Sequence, residues 1–201
     1  MAGEAEADVL KLAWTARSLR DVAEVAELLA DRPGPMIALA MGPFGLPSRV
    51  LAGRFGGLLS FANLGDGTAT AAGQPTIGVL QELYRFRDIG PATRVFGVVG
   101  MPVDHSLGPR LHNAAFRAAG EDAVYLPLPV DAGWESFKAT LATLLETPAV
   151  GFAGASVTIP HKEHALRLAT ERGGLVDPLA EIAGAANTLW TDAGGRLHAA
   201  N

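Results

Sequence analysis

The hydrophobic and polar positions follow two alternating patterns along the chain. Short apolar runs predict buried β-strands, whereas apolar residues three or four positions apart predict amphipathic helices. The predicted strands cover residues 8–13, 35–40, 58–62, 94–99, 123–126 and 151–157, and the predicted helices cover residues 18–30, 48–55, 76–86, 109–120, 131–145 and 160–172. A hairpin is predicted over residues 187–191 and 197–200. Regular alternation of strands and helices is typical of an α/β fold.

A change in the pattern near residues 85–93 predicts a domain boundary. This segment is rich in charge and contains Gly90 and Pro91, which suit an exposed connection. The chain has 201 residues, 49% of them hydrophobic, so two small domains can each bury a core. We therefore expect one domain over residues 1–88 and a second over residues 94–201.

Composition and charge exclude several kinds of site and partner. The net charge of −5, with no concentrated basic patch, argues against a nucleic-acid partner. The absence of cysteine excludes disulfides and thiolate zinc sites. His161 and His164 have helical spacing, but no carboxylate completes a ligand set, so we expect no metal ion. We expect these histidines to lie at the surface or at positions that the chain's family determines. Neither a secretory signal nor a membrane helix is indicated, which predicts a cytoplasmic protein without a membrane partner.

Lys11 is the first candidate for chemistry because it lies inside the apolar run of residues 8–13, predicted to be a buried strand. Burial of an ammonium group lowers its pKa, and a neutral lysine can attack a ketone to form a Schiff base. The alternative is an end-of-strand lysine whose ammonium group reaches water. The strand by itself favours that alternative.

A glycine-rich turn follows the second predicted strand and leads to Arg49. Such a turn brings backbone close to a ligand, and an arginine there can hold a carboxylate through two hydrogen bonds. The alternative is a surface arginine that caps a helix. Thr70 and Gln74 lie on the loop after the third predicted strand, where hydroxyl and amide groups suit a polyhydroxy substrate.

Together these segments resemble the type I 3-dehydroquinate dehydratases. The matching stretches, in the family's order and spacing, are residues 8–11, 41–49 and 70–74. The resemblance implies a (β/α)8 barrel, of which the chain contains the C-terminal three strand–helix units. It also implies that Lys11 forms the imine, that Arg49 holds the substrate carboxylate, and that Thr70 and Gln74 contact substrate oxygens. The family's general-base histidine belongs to earlier strands, and no residue here matches it.

From residue 95 onward the chain resembles the shikimate dehydrogenases. The matching stretches are residues 97–102, 105–109, 111–113, 151–154, 157–163 and 184–188. The resemblance implies an α/β substrate-binding domain in which Ser106 binds the carboxylate, and Thr158 and Asn187 bind other substrate oxygens. It places Lys162 beside the oxygen that exchanges a proton during hydride transfer. Helix capping is the alternative for Ser106 and Thr158, and an exposed first-turn lysine is the alternative for Lys162.

Several family features are changed or absent in the second half. Gly108 stands where the family usually has a second carboxylate-binding serine, and Ser156 stands where many members have asparagine. The chain ends at Asn201, before the family's catalytic aspartate. No G-x-G-x-x-G turn follows a predicted strand, so we expect NADP to be bound by a C-terminal domain outside this chain.

The two resemblances together predict a piece of a bifunctional enzyme of the shikimate pathway, which leads to chorismate and the aromatic amino acids. Such an enzyme dehydrates 3-dehydroquinate to 3-dehydroshikimate and reduces 3-dehydroshikimate to shikimate with NADPH. We expect the piece alone to lack both activities. The alternatives are a module that binds shikimate or quinate without catalysis, a quinate dehydrogenase, and a fragment without a function of its own.

Overall fold

The computed structural model of the chain describes residues 7–65 and 71–201. Its first half contains two strand–helix units. The second half contains five strands and four helices among the described residues. In chain order the elements are β1 (Leu10–Thr15), α1 (Asp21–Ala30), β2 (Met36–Met41), α2 (Leu46–Val50), β3 (Arg94–Gly100), α3 (Gly108–Ala119), β4 (Ala123–Pro129), α4 (Trp134–Glu146), β5 (Phe152–Val157), α5 (Lys162–Glu171), α6 (Pro178–Ala183), β6 (Thr188–Thr191) and β7 (Leu197–Ala200).

The second half is built on a five-stranded sheet with the order β4-β3-β5-β6-β7. β3 lies at the centre of its parallel part and pairs with both β4 and β5. The hairpin of β6 and β7 extends the sheet in the antiparallel sense. Because α3, α4 and α5 connect or follow the parallel strands, the predicted α/β fold is confirmed for this half.

The first half has a smaller, two-stranded parallel sheet formed by β1 and β2. α1 connects the two strands and buries Val22, Val25 and Leu29 against the core. The residues of β2 are buried, whereas most residues of β1 are exposed. A barrel is not observed among the described residues, so the barrel stays a proposal.

The third predicted strand–helix unit has a different structure. Residues 58–62 do not form a strand: Leu58 N donates to Met36 O at 2.9 Å, and an isolated bridge joins Asn63 to Thr76. The helix predicted over residues 76–86 contains a five-residue π-helix, Val79–Leu83. It ends at Leu83, and Arg85, with a left-handed φ of 51°, turns the chain two residues later. Local apolar pattern did not predict these features because strand pairing and a widened helical turn depend on neighbouring segments.

Two further helices differ from the prediction. α2 begins at Leu46 and ends at Val50, so it is shorter than the helix predicted over residues 48–55. α6 was not predicted because six residues are too few to show helical periodicity. Its start nevertheless follows a known pattern, since the carboxylate of Asp177 accepts from Leu179 N and Pro178 occupies the first turn.

The two halves share a buried boundary. The guanidinium of Arg54, in the turn after α2, donates from Nε to the carbonyls of Ala149 and Val150 at 2.8 and 3.0 Å. Its Nη1 donates to Thr93 O at 2.6 Å and also to Pro91 O. One arginine from the first half therefore binds backbone of the connecting segment and of the second half.

Candidate functional site

In the first half, Lys11, Arg49 and Gln74 line one pocket of about 210 Å³. The sheet register places Lys11 and Ala13 of β1 on the same face as Leu39 and Met41 of β2. Phe61 and Ala71 complete the lining. Thr70, the remaining predicted residue of this site, lies outside the described residues.

Arg49 is 1% exposed, so the alternative of a surface arginine is wrong. Its position follows from Ser48, whose hydroxyl accepts from Ala40 N at 2.9 Å and donates to Gly45 O at 2.7 Å, fixing α2 against β2. The guanidinium has one long hydrogen bond, from Nη1 to Phe61 O at 3.5 Å. Within residues 7–65 and 71–201, its Nε and Nη2 have no hydrogen-bond partner.

A buried guanidinium with two nitrogens that lack partners among the described residues suits the binding of an anion. Desolvation lowers the pKa of Arg49 from its ordinary value. Burying a charge is unfavourable unless an opposite charge or several acceptors surround it. A carboxylate in the pocket would accept from both unpaired nitrogens and offset that unfavourable burial.

Lys11 is exposed, and the prediction that it lies in a buried strand is wrong for this structure. β1 pairs with β2 alone among the described strands, and its residues have little covering them. The ammonium group lies over the ring of Phe61, with Nζ 4.1 Å from the ring centroid. The aromatic face holds the amine at the pocket wall while leaving it open to a ligand.

In the second half, backbone hydrogen bonds bring Thr158, Lys162 and Asn187 together. Val157 N donates to Asn187 O at 2.6 Å, which places the residue before Thr158 against Asn187. Ala186 N donates to Lys162 O at 2.9 Å, which ties the first turn of α5 to the same segment. Lys162 is exposed, whereas Thr158 and Asn187 are partly buried. No side-chain cap by Thr158 is observed at α5 among the described elements, whereas the Ser106 hydroxyl accepts from the first backbone N–H of α3, that of Gly108.

Ser106 lies beside Tyr125, a residue that the sequence analysis did not select. Ser106 Oγ accepts from Gly108 N at 3.1 Å. A Cβ atom added to Gly108 would lie 3.1 Å from Ser106 Oγ and 3.4 Å from the Tyr125 hydroxyl oxygen. Burial raises the pKa of Tyr125, and hydrogen bonding to Ser156 opposes that shift. The aromatic residue in β4 gave no signal in the sequence because a buried tyrosine is common in strands.

His161 is a second residue whose environment the sequence analysis missed. It is 0% exposed, so the interpretation of a surface histidine is wrong for this residue. Its Nε2 lies 2.9 Å from Val130 O, and its Nδ1 lies 3.0 Å from Nδ1 of His164. Burial lowers the pKa of His161. Its place in the chain, directly before Lys162, was the available signal.

Metal and membrane chemistry find no support in the described part of the chain. No group of three or more histidine, aspartate or glutamate side chains among residues 7–65 and 71–201 could hold a metal ion. Within the same ranges, every helix is too short or too polar to cross a bilayer.

Comparison with known proteins finds one family for each half of the chain. Residues 1–91 match the family model of the type I 3-dehydroquinases, and residues 98–189 match that of the shikimate dehydrogenase substrate binding domain. Each match covers just under half of the chain.

Curated relatives include a bifunctional protein named for both activities and a protein named for shikimate dehydrogenase alone. Over 184 residues the chain is 44% identical to the chloroplastic bifunctional 3-dehydroquinate dehydratase/shikimate dehydrogenase of Arabidopsis thaliana, covering 91% of this chain and 28% of the relative. Over 97 residues it is 43% identical to the NADP(+) shikimate dehydrogenase of Nostoc sp., covering 48% of this chain and 30% of the relative. The crystal structure of a shikimate dehydrogenase from Aquifex aeolicus aligns with a TM-score of 0.46 and 34% identity, covering 54% of this chain and 37% of that one.

The chain spans less than a third of the length of these two curated relatives. The resemblance seen in the sequence motifs is confirmed for both halves. The chain therefore has one segment similar to the type I 3-dehydroquinases and one similar to the shikimate dehydrogenase substrate binding domain, the pair of activities that the bifunctional Arabidopsis relative is named for.

Proposed function

We propose that this chain is part of a bifunctional shikimate-pathway enzyme that dehydrates 3-dehydroquinate and reduces 3-dehydroshikimate. In this proposal residues 1–88 are the last part of a (β/α)8 barrel, and residues 94–201 are a substrate-binding domain. The observation that carries the proposal is the buried guanidinium of Arg49, whose Nε and Nη2 have no partner among the described residues, beside Lys11 in one pocket. A carboxylate substrate with a ketone engages both groups at once.

At the first site the proposed chemistry is imine formation. The Lys11 amine attacks the substrate ketone, and loss of water leaves an iminium that draws electrons from the adjacent carbon. Arg49 holds the carboxylate, and Gln74 and Thr70 bind hydroxyl oxygens. Removal of the proton from the acidified carbon needs a general base, and no residue of this chain matches the family's histidine. The chain by itself should therefore form the imine, but it should dehydrate its substrate very slowly.

At the second site the proposed chemistry is proton exchange at a substrate oxygen. Ser106 binds the carboxylate, while Thr158 and Asn187 bind ring oxygens. Lys162, held near Asn187 through the bond from Ala186 N to its carbonyl, donates or accepts the proton at the reacting oxygen. The exposed ammonium group is available to a ligand that lies over this segment.

The residues of this chain do not fit a dinucleotide cofactor. The printed sequence has no G-x-G-x-x-G turn between a strand and a helix, which is the feature that cradles the pyrophosphate. The Nostoc relative, which is named as an NADP(+) shikimate dehydrogenase, implies that cofactor for the reduction. We therefore place NADP, which supplies the hydride, in a further domain of the complete enzyme. Cytoplasmic location stays a prediction, since the plant relative is named as chloroplastic.

Borohydride trapping tests the first site directly. The chain is incubated with 3-dehydroquinate and sodium borohydride, which reduces an imine to a stable secondary amine. Mass spectrometry of peptides should find the adduct on Lys11, and the Arg49→Met variant should trap it more slowly. Lys162→Ala is the matched control and should trap normally. Absence of an adduct at Lys11, or an adduct spread over other lysines, would contradict the assignment.

In the complete enzyme the two lysines should separate the two activities. Lys11→Ala should abolish dehydration and leave reduction intact, because the imine is needed for the first reaction alone. Lys162→Ala should do the reverse. Reduction that survives Lys162→Ala would contradict the role of Lys162, whereas binding of shikimate without turnover by the complete enzyme would favour the alternative of a binding module.

Quinate is the second candidate substrate, and Gly108 is the observation that favours it. A side chain at position 108 would crowd Tyr125, with Cβ 3.0 Å from Cε1, and Ser106, with Cβ 3.1 Å from Oγ. Glycine avoids this crowding beside the proposed carboxylate site. Quinate carries an extra hydroxyl on the carbon that bears its carboxylate. If quinate is the substrate, Gly108→Ser should weaken quinate binding more than shikimate binding in a calorimetric titration.

A further inference from the structure

The imidazole of His161 connects the segment that carries Thr158 and Lys162 to the loop that follows β4, the edge strand of the sheet. Its Nε2 lies 2.9 Å from Val130 O, in the loop that follows β4. Val130 N in turn donates to Gly100 O at 3.0 Å, at the end of β3. The backbone of His161 also belongs to the segment, since its N–H donates to Thr158 O at 2.9 Å.

These contacts determine which nitrogen of His161 carries the proton. A carbonyl oxygen accepts hydrogen bonds and cannot donate them, so Nε2 must carry hydrogen. In the neutral ring Nδ1 is then an acceptor, and it faces Nδ1 of His164 at 3.0 Å, which must donate. Both ring nitrogens of this fully buried side chain are thus satisfied in one neutral tautomer.

The surroundings of the ring favour the neutral form. Burial is the main cause that lowers the pKa of His161, and the neighbouring His164 acts in the same direction. Asp131, in the loop between β4 and α4, opposes both effects. α4 contributes the ring of Phe137, whose centroid lies 4.9 Å from that of His161. The hydrogen bond to the Val130 carbonyl also raises the pKa, but the net shift is downward.

We propose that His161 is a positioning residue, whose Nε2–H donated to Val130 O holds Thr158 and Lys162 in the arrangement that binds the acid. The proposal rests on the function proposed above for those two residues. Without the donor, Val130 O loses its partner and the segment between β5 and α5 loses a side-chain connection to β4. Thr158 and Lys162 then sample more orientations, and binding must select one of them.

The test compares two substitutions at position 161. His161→Phe keeps a planar ring of similar volume without a donor, whereas the amide of His161→Gln can still donate toward Val130 O. Titration with shikimate, followed by NMR, should show roughly tenfold weaker binding for His161→Phe, the factor that corresponds to one hydrogen bond. His161→Gln should recover most of the affinity.

His198→Phe is the matched control, because His198 is buried in the same half and hydrogen-bonded through both ring nitrogens, to Leu175 N and to Asp192. It should lower the melting temperature without the selective loss of affinity. Equal affinity of the parent and His161→Phe, or equal losses in His161→Phe and His198→Phe, would overturn the proposal.

Amide hydrogen exchange separates this proposal from the proposed function. The reporters are His161 N–H, which bonds to Thr158 O, and Ala186 N–H, which bonds to Lys162 O. In His161→Phe both amides should exchange several-fold faster than in the parent, while amides of β1 and β2 should not change. If the parent fails to bind shikimate, the proposed function fails, and unchanged exchange at these two amides would still overturn the positioning role.

Discussion

The guanidinium of Arg49 is charged, buried and poorly paired, and each of these conditions opposes folding. Its burial lowers its pKa, and Nε and Nη2 find no partner within the described ranges. Such a group is retained where a bound anion supplies the missing hydrogen-bond acceptors, because the unpaired donors then gain partners of opposite charge. Lys11 differs from Arg49 because its amine is exposed and lies over the ring of Phe61. The amine is therefore open to a ligand without being buried.

Arg49→Met should therefore stabilise the chain while weakening anion binding. Methionine fills much of the same volume and removes the desolvation of a charge, so we expect the unfolding free energy to rise by about 1 kcal/mol or more. Urea denaturation followed by circular dichroism measures the change. The control Arg20→Met removes an exposed arginine from the same half and should change stability by less than about 0.5 kcal/mol. A loss of stability in Arg49→Met would mean that the guanidinium is well paired.

At the scale of elements, the end of β3 supports the second site through close backbone contact. Val99 O accepts from Thr158 N at 2.9 Å, and Gly100 follows it at the end of the strand. A Cβ atom at Gly100 would lie 2.7 Å from Ile159 O and closer still to the Thr158 side chain. The absence of a side chain at this position lets the segment after β5 cross over the end of β3.

Gly100→Ala should destabilise the protein and disturb the second site together. The added methyl group meets backbone, which cannot rotate away, so we expect a loss of about 1–3 kcal/mol and weaker binding of shikimate. Gly34→Ala is the control, since a Cβ atom there meets nothing within 4 Å. Thermal unfolding and NMR titration of both variants measure the two effects. Unchanged affinity in a folded Gly100→Ala variant would show that the segment tolerates displacement.

At the scale of the whole molecule, the two halves share one buried core and one arginine that joins them. The main cluster of buried apolar residues includes Leu29 and Leu51 of the first half together with Leu144 and Val150 of the second. Arg54 crosses the boundary and donates to carbonyls on the far side, and its burial lowers its pKa. The two proposed domains are thus in contact where the sequence predicts a linker.

Arg54→Gln should uncouple the unfolding of the two halves. Trp14 reports on the first half, and Trp134 and Trp190 report on the second. One variant that keeps Trp14 alone and another that keeps the other two tryptophans therefore give separate fluorescence signals. In the parent the two signals should change at one denaturant concentration, because the shared core makes unfolding cooperative.

In Arg54→Gln the first-half signal should change at a lower urea concentration than the second-half signal. The exposed Arg20→Gln serves as the control and should leave the two transitions coincident. Coincident transitions in Arg54→Gln, at the parent's midpoint, would show that the apolar contact suffices without the arginine.

The sequence by itself determined the α/β alternation, the positions of most elements of the second half, and the resemblance of each half to a known family. Strong apolar periodicity and local signals, such as Pro109 at the start of α3 and Gly120 at its end, act within a few residues and can be read directly. Motif order along the chain likewise needs no coordinates.

The tertiary structure alone decided burial, pairing and contact across the chain. In the tertiary structure Lys11 is exposed, whereas Arg49 and His161 are buried. Residues 58–62 lack strand pairing, and Tyr125 lies beside Ser106. Each of these depends on which distant segment covers a residue or offers it a hydrogen bond. Local pattern carries no information about that partner, because burial and hydrogen bonding are set by residues far apart in the chain.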